Sequence, residues 1–279
     1  RCGAAMRELG IVAGGAVAIE AETIAAAGPE GEILAKYQAD EVFDARGDVM
    51  LPGFVDPHTH LLFAGSREGE FEQRLAGRSY TEIAAAGGGI RSSVRAFRAA
   101  SDDALIDQSL RRLDRMLANG TTTVEVKSGY GLSPRREIRL LELMGGAAIR
   151  VPVRVHRTAL VLHALPAEYE GKREQYVEDV KTELLGEVHR RGMASAIDVF
   201  CDPVAFTVEE CRAVLTRAVE LGFPVKLHAE QMARFGGAKL AAELGARSAD
   251  HLESATDEDW KALADAGTVA VLLPAAALT

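Results

Sequence analysis

Cysteine is scarce in this chain. Of 279 residues only Cys2, Cys201 and Cys211 are cysteines, and no CxxC pair occurs. An odd count without paired spacing argues against a disulfide framework and fits a reducing compartment. Long apolar runs are missing too: none reaches the roughly 18 residues that mark a membrane helix. The N-terminus has no basic segment followed by an apolar core, so no signal peptide is read and the cytoplasm is the expected location. Positive charge is in deficit, with 32 Lys and Arg against 41 Asp and Glu, a net charge of −9. An acidic surface argues against nucleic acid or an anionic membrane as partner. It leaves a small anionic substrate open, because one buried Arg overrides the average field locally. Nucleotide fingerprints are also lacking: no GxGxxG follows a strand and no GxxxxGK[ST] occurs. Gly87-Gly88-Gly89 follows a helical stretch and reads as a loop.

What is present is an alternation. Apolar residues make up 48% and charged residues 26%, ordinary for a globular protein. Residues 1–48 contain short strand-like pieces at 15–19 and 23–26, and a third ending in Glu41-Val42-Phe43-Asp44. They read as part of a small β-sandwich domain. From residue 49 to 279, apolar strand-like runs at 50–55, 122–126, 151–158, 194–200, 225–227, 248–251 and 269–273 alternate with helical stretches. The helices are expected at 101–118, opened by a Ser-Asp-Asp cap, at 134–149, opened by Pro134, and at 172–191, 207–221, 236–244 and 256–266. Such alternation predicts an α/β architecture with parallel strands. Strands that look apolar throughout suggest a sheet covered on both faces. Doubly wound and barrel arrangements both fit. A closed (β/α)8 barrel needs one helix and one strand beyond the seven strands counted, so a barrel reading implies that strand eight is missing.

The chain has seven histidines: His58, His60, His156, His163, His189, His228 and His251. Five sit at or just past the C-terminal end of an expected strand, where barrel active sites are built. In a strand, residues two apart share a face, so His58 and His60 of the His-Thr-His pair can converge on one ion. His163, His228 and His251 follow three other strands. Each could equally be a core histidine satisfied by a hydrogen bond. His156 reads as a core group and His189 as solvated, and neither is given a role. Three imidazoles with an open position suit zinc or a similar ion, which acidifies a bound water and polarises a carbonyl.

The segment Leu51–His60, LPGFVDPHTH, resembles the first-strand signature of the amidohydrolase superfamily. PHTHLLFAGSREGEFEQRLAG, TTTVEVKSGYGL, KLHAEQ and ADHLE together resemble the imidazolonepropionase family. The resemblance implies a TIM-type (β/α)8 barrel that hydrolyses 4-imidazolone-5-propanoate to N-formimidoyl-L-glutamate in histidine degradation. It implies one bound metal ion, zinc or iron, held by His58, His60 and His228. His251 would orient the attacking water or polarise the oxygen, with Glu230 as a further acid/base. Arg67 would meet the substrate carboxylate through its guanidinium fork. Tyr130, His163, Gln231 and Tyr80 would complete substrate binding. Relatives imply a homodimer. The family's remaining ligand, an aspartate on strand eight that also relays a proton, has no match. Asp250 is not expected to replace it, because it neighbours His251 and should face the other side of its strand. Strand four ends in Phe200-Cys201-Asp202 without a lysine, which favours one metal over two. Another cyclic-amide hydrolase or a deaminase is the alternative, and Arg67 discriminates, since neutral bases need no carboxylate clamp. An inactive, poorly soluble fragment is the other expectation for the chain as given.

Overall fold

The computed structural model describes residues 3–78, 82–83 and 86–277. The chain divides into two compact units, Arg1–Pro52 and Gly53–Thr279. In the first, β1 (Gly15–Glu20) pairs antiparallel with β2 (Thr23–Pro29), and the helix Glu30–Lys36 follows. Ile33 is its buried hydrophobic residue. The expected third strand does not form: the backbone around Val42 and Phe43 is irregular and both side chains are largely exposed. Strand propensity alone does not hold a segment that has no neighbouring strand or apolar face to pack on.

The second unit is a sheet of seven strands in sequence order: β3 (Phe54–Thr59), β4 (Thr121–Lys127), β5 (Arg154–Leu162), β6 (Ala196–Cys201), β7 (Val225–Ala229), β8 (Ser248–His251) and β9 (Val269–Val271). Every pairing is parallel. Among the described residues β3 and β9 each pair with one neighbour. This is an incompletely closed α/β barrel. Helices begin where the caps say they should. The Ser101 hydroxyl accepts from Ala104 N, Pro134 opens its helix, and Thr207 forms a capping box with Glu210. The expected helix 172–191 contains a π-helical turn at Val180–Leu184 and stops at Gly192, whose φ of 59° suits glycine. Among the described residues no helix is long and apolar enough to cross a membrane.

The strands are two-faced rather than apolar throughout. Val124, Val126, Ile197, Val199, Leu227 and Ala249 pack outward on helix residues such as Leu105, Leu113, Leu140, Val214 and Leu240. Burying each large side chain contributes about 1.5–3 kcal/mol. The alternate positions, Glu125 and Lys127 of β4, Asp198 of β6, His228 of β7 and Asp250 of β8, are also buried. His156, expected in the core, is exposed, as His189 is.

Candidate active site

The strand ends bring five histidines together. Ring centroids lie 4.6 Å apart for His58 and His228, 5.3 Å for His58 and His251, and 5.3 Å for His228 and His251. His60 sits 5.5 Å from His228 and stacks on His163 at 5.3 Å. Ligand nitrogens of His58, His228 and His251 all fall within 4.8 Å of one another, and this is the threesome that could grip an ion among the described residues. His60 joins through His228, with its Nε2 3.3 Å from His228 Nε2. Two nitrogens bound tetrahedrally at about 2.0–2.1 Å would stand about 3.3 Å apart. The Nδ1 atoms of His60 and His228 are buried without a hydrogen-bond partner. Spacing and donor chemistry both fit a metal ion. This threesome holds His251 in place of His60, whereas the resemblance implies His58, His60 and His228 as the ligands and His251 as the residue that orients the water.

Four of the rings, His60, His163, His228 and His251, are pushed toward the neutral form. Burial depresses His228 to about 3, opposed by Asp198. Burial likewise takes His163 to about 4. His60 is driven well below its ordinary value by burial and by the neighbouring imidazoles, and His251 is lowered by burial and His58. A neutral imidazole keeps a lone pair, which is what a ligand or a base needs.

A charged network adjoins the rings. Lys127 Nζ lies 2.7 Å from Asp198 Oδ2, 3.0 Å from Asp250 Oδ2 and 3.2 Å from Glu125 Oε1. Lys226 Nζ reaches Glu125 Oε2 at 2.6 Å. Burial works against the Lys127 ammonium, but Asp198, Asp250 and Glu125 outweigh it and keep the group well above the ordinary lysine range. Lys127 outweighs burial at Asp198 and Asp250 as well, and holds both carboxyls below the usual carboxylate range. His58 Nδ1 is 2.7 Å from Asp250 Oδ2. His228 Nδ1 is 3.1 Å from Asp198 Oδ2, without the alignment of a hydrogen bond, so this contact is electrostatic.

Asp250 and His251 overturn one expectation. Asp250, not His251, follows the inward parity of β8, and its Oδ1 also accepts from Ser248 at 2.6 Å. His251 enters the cluster because the backbone turns over at the strand end, with φ of 81° at His251 and 69° at Leu252. Strict alternation fails there, so both side chains face the site.

The substrate-side residues separate. Tyr130 packs 5.7 Å from both His60 and His163, and burial raises its phenol against the pull of Arg67 and Arg112, keeping the proton on. Its loop is fixed by the buried Glu137, which accepts from Gly129 N at 3.0 Å and Leu132 N at 2.6 Å. Gly129 has φ of 111°, and a Cβ there would stand 2.7 Å from His163 Nδ1, so both backbone and space require glycine. His163 Nδ1 pairs with Gly129 O at 2.8 Å, which leaves Nε2 as acceptor. Arg67 heads the helix Glu68–Leu75, partly exposed, and its Nη2 pairs with Glu70 at 2.7 Å. Gln231 is half-buried in the loop after β7. Tyr80 lies outside the described residues. The acid/base expectation for Glu230 loses its geometric basis: its Oε1 accepts from Gly236 N and Ala238 N at 3.0 Å each and its Oε2 from Phe235 N, so the carboxylate anchors the following loop.

No protein-family model matches the chain. It is 50% identical over 278 residues to the imidazolonepropionase of Symbiobacterium thermophilum, covering 98% of this chain and 65% of that protein. It is 47% identical over 270 residues to that of a Ruegeria species, covering 97% and 67%, and 44% identical over 273 residues to that of Roseobacter denitrificans, covering 98% and 69%. The chain belongs to the imidazolonepropionase family. It spans about two thirds of the length of these imidazolonepropionases. Solved structures share the fold: a zinc-bound adenosine deaminase from Xanthomonas campestris has a TM-score of 0.62 at 18% identity, covering 90% of this chain and 56% of that one. A 5-methylcytosine deaminase from Klebsiella pneumoniae has a TM-score of 0.63 at 15% identity, covering 91% and 61%. Lys127, Asp198 and Glu137 were not singled out from sequence. For Lys127 and Asp198 the available signal is a charged residue at every second position of otherwise apolar strands, as in Val124-Glu125-Val126-Lys127 and Ile197-Asp198-Val199.

Proposed function

We propose that this chain carries the catalytic barrel of an imidazolonepropionase that opens the ring of 4-imidazolone-5-propanoate to give N-formimidoyl-L-glutamate. The observation that carries the reading is the convergence of His58, His60, His228 and His251 at one rim of the barrel, beside Tyr130 and His163. His58, His60 and His228 would hold the metal, zinc or iron. When bound, such an ion supplies a nucleophilic water near neutral pH and a Lewis acid for the ring carbonyl.

The rest of the chemistry falls to the chain's own groups. Water oxygen bonds to the ring carbonyl carbon, the carbon–nitrogen bond to that carbon breaks, and the departing nitrogen takes a proton. His251 Nδ1 lies 3.2 Å from Glu253 Oε1. With that Nδ1–H donated to Glu253, His251 Nε2 is free to accept the water's proton and return it to nitrogen. Tyr130, protonated by virtue of its burial, donates to the substrate, and His163 Nε2 accepts from it. Arg67 raises the field at Tyr130 and offers the paired N–H groups a propanoate carboxylate needs. That clamp favours an acidic imidazolone over the neutral bases of the deaminases. Loss of ultraviolet absorbance from imidazolone propanoate, followed with and without a chelator, tests the assignment. Turnover that stops on chelation and returns with zinc or iron is expected; turnover indifferent to chelation would sink the metal reading. His251→Asn is expected to lose orders of magnitude in kcat while metal content holds, and equal turnover would remove His251 from the chemistry.

A further inference from the structure

A lysine with no exposed side-chain surface at the centre of a barrel is costly unless it organises something. Lys127 touches three carboxylates, and two of them touch imidazoles. Asp250 Oδ2 is shared between Lys127 Nζ at 3.0 Å and His58 Nδ1 at 2.7 Å. Asp198 Oδ2 is shared between Lys127 Nζ at 2.7 Å and His228 Nδ1 at 3.1 Å. The third, Glu125, meets Lys127 at 3.2 Å, and its other partners are Lys226 and Thr158. The ammonium therefore sits at a fork with one arm to each of two histidines on different strands.

We propose that Lys127 is a positioning residue for metal binding, clamping Asp198 and Asp250 so that the Nδ1 sides of His228 and His58 are held and their Nε2 atoms share one point. This inference rests on the metal reading of the histidine cluster. Lys127 does not touch the substrate or the ion. It fixes the rotamers of two carboxylates that would otherwise repel each other across the barrel axis, and each carboxylate fixes one ring. Partners of this kind typically set ligand affinity by about 10–100-fold.

The test measures zinc affinity of the full chain by competition with a chromophoric chelator. Lys127→Met is expected to weaken zinc binding by at least about tenfold. Glu125→Gln, which removes a partner of Lys127 that touches no imidazole, should stay within about threefold of the parent. Lys127→Gln combined with Glu125→Gln keeps the net charge of the buried set and serves if Lys127→Met does not fold; it too should lose at least about tenfold. Asp250→Asn added to Lys127→Met should cost little more than Lys127→Met alone, because the two act on one arm. Zinc affinity within threefold of the parent in either folded Lys127 variant overturns the proposal. His228→Ala separates the two readings. If it loses zinc while the Lys127 variants keep it, Lys127 alone is misassigned; if the parent chain takes up no stoichiometric zinc or iron, the metal reading falls, and this inference with it.

Discussion

The barrel interior holds two sets of ionisable side chains that meet the cost of burial in opposite ways. Glu125, Lys127, Asp198, Lys226 and Asp250 are packed as charges against counter-charges at 2.6–3.2 Å. His60, His163, His228 and His251 are packed as neutral rings, each pushed toward the uncharged form by burial. The charged set has little freedom, since every member depends on another. The imidazole set retains lone pairs that no protein donor fully claims, and those are what an ion or a proton in transit can use. One set supplies rigidity and the other supplies reactivity, and they meet at Asp198–His228 and Asp250–His58.

The strongest way to break this comparison is to remove one member of each set. Asp198→Ala takes the nearest of three carboxylates from the buried Lys127 ammonium and the counter-charge from His228 Nδ1, and should cost about 3–5 kcal/mol in equilibrium denaturation. His163→Phe loses one bond to Gly129 O and keeps the stacked plane, so about 0.5–1.5 kcal/mol is expected. Equal losses would mean that the two sets are not different in kind. Next in size is the response to zinc. At a free concentration a hundredfold above Kd the parent chain should gain about 2.7 kcal/mol of stability, and His228→Ala should gain none.

Acid sharpens the contrast because the sets titrate in separate windows. The unfolded chain protonates its histidines as pH falls through about 6.5, while folded His163 resists to about 4 and folded His228 to about 3. Between those values the unfolded state binds more protons than the native state, so stability of the metal-free protein must fall as pH falls. Each such histidine contributes a slope of up to about 1.4 kcal/mol per pH unit. Asp198 and Asp250 have depressed folded values, so their contribution persists through this window and is lost only below the ordinary Asp value of 3.8. Denaturation midpoints between pH 7 and 4 should therefore drop in the parent and drop less in His163→Phe. A flat profile would show that the folded rings take up protons as readily as those of the unfolded chain.

Much of this is legible in the sequence, and the exceptions have one cause. Seven strands and the capped helices followed from local signals: Ser101, Pro134 and Thr207 announce helix starts wherever they occur in a chain. His58, His60, His163, His228 and His251 were legible as a group because strand ends converge in any barrel. What escaped depended on partners far along the chain. Lys127 and Asp198 read as ordinary alternating polar residues until β4 and β6 face each other across the axis. The inversion at His251 rests on a φ of 81° in a non-glycine residue, for which the sequence carries no mark. The anchoring role of Glu230 escapes for the same reason, since its partners are backbone donors on a loop whose path is not written in the His-Ala-Glu-Gln motif.

The smallest stability effect expected should accompany a large effect on substrate, and it lies outside both buried sets. Arg67 is about half exposed and its pair with Glu70 is a surface contact. Arg67→Met should therefore shift stability by under about 0.5 kcal/mol. Its value to the substrate is different, because a charged, paired hydrogen bond to carboxylate contributes about 1.5–3 kcal/mol, which is roughly 10–100-fold in kcat/KM. The loss should fall mainly on KM, since the carboxylate is remote from the bond that breaks and is bound alike in ground and transition states. Loss of kcat with KM unchanged would instead place Arg67 at the reacting carbonyl. It would join the guanidinium to the imidazole set and end the separation between the residues that hold the substrate and those that act on it.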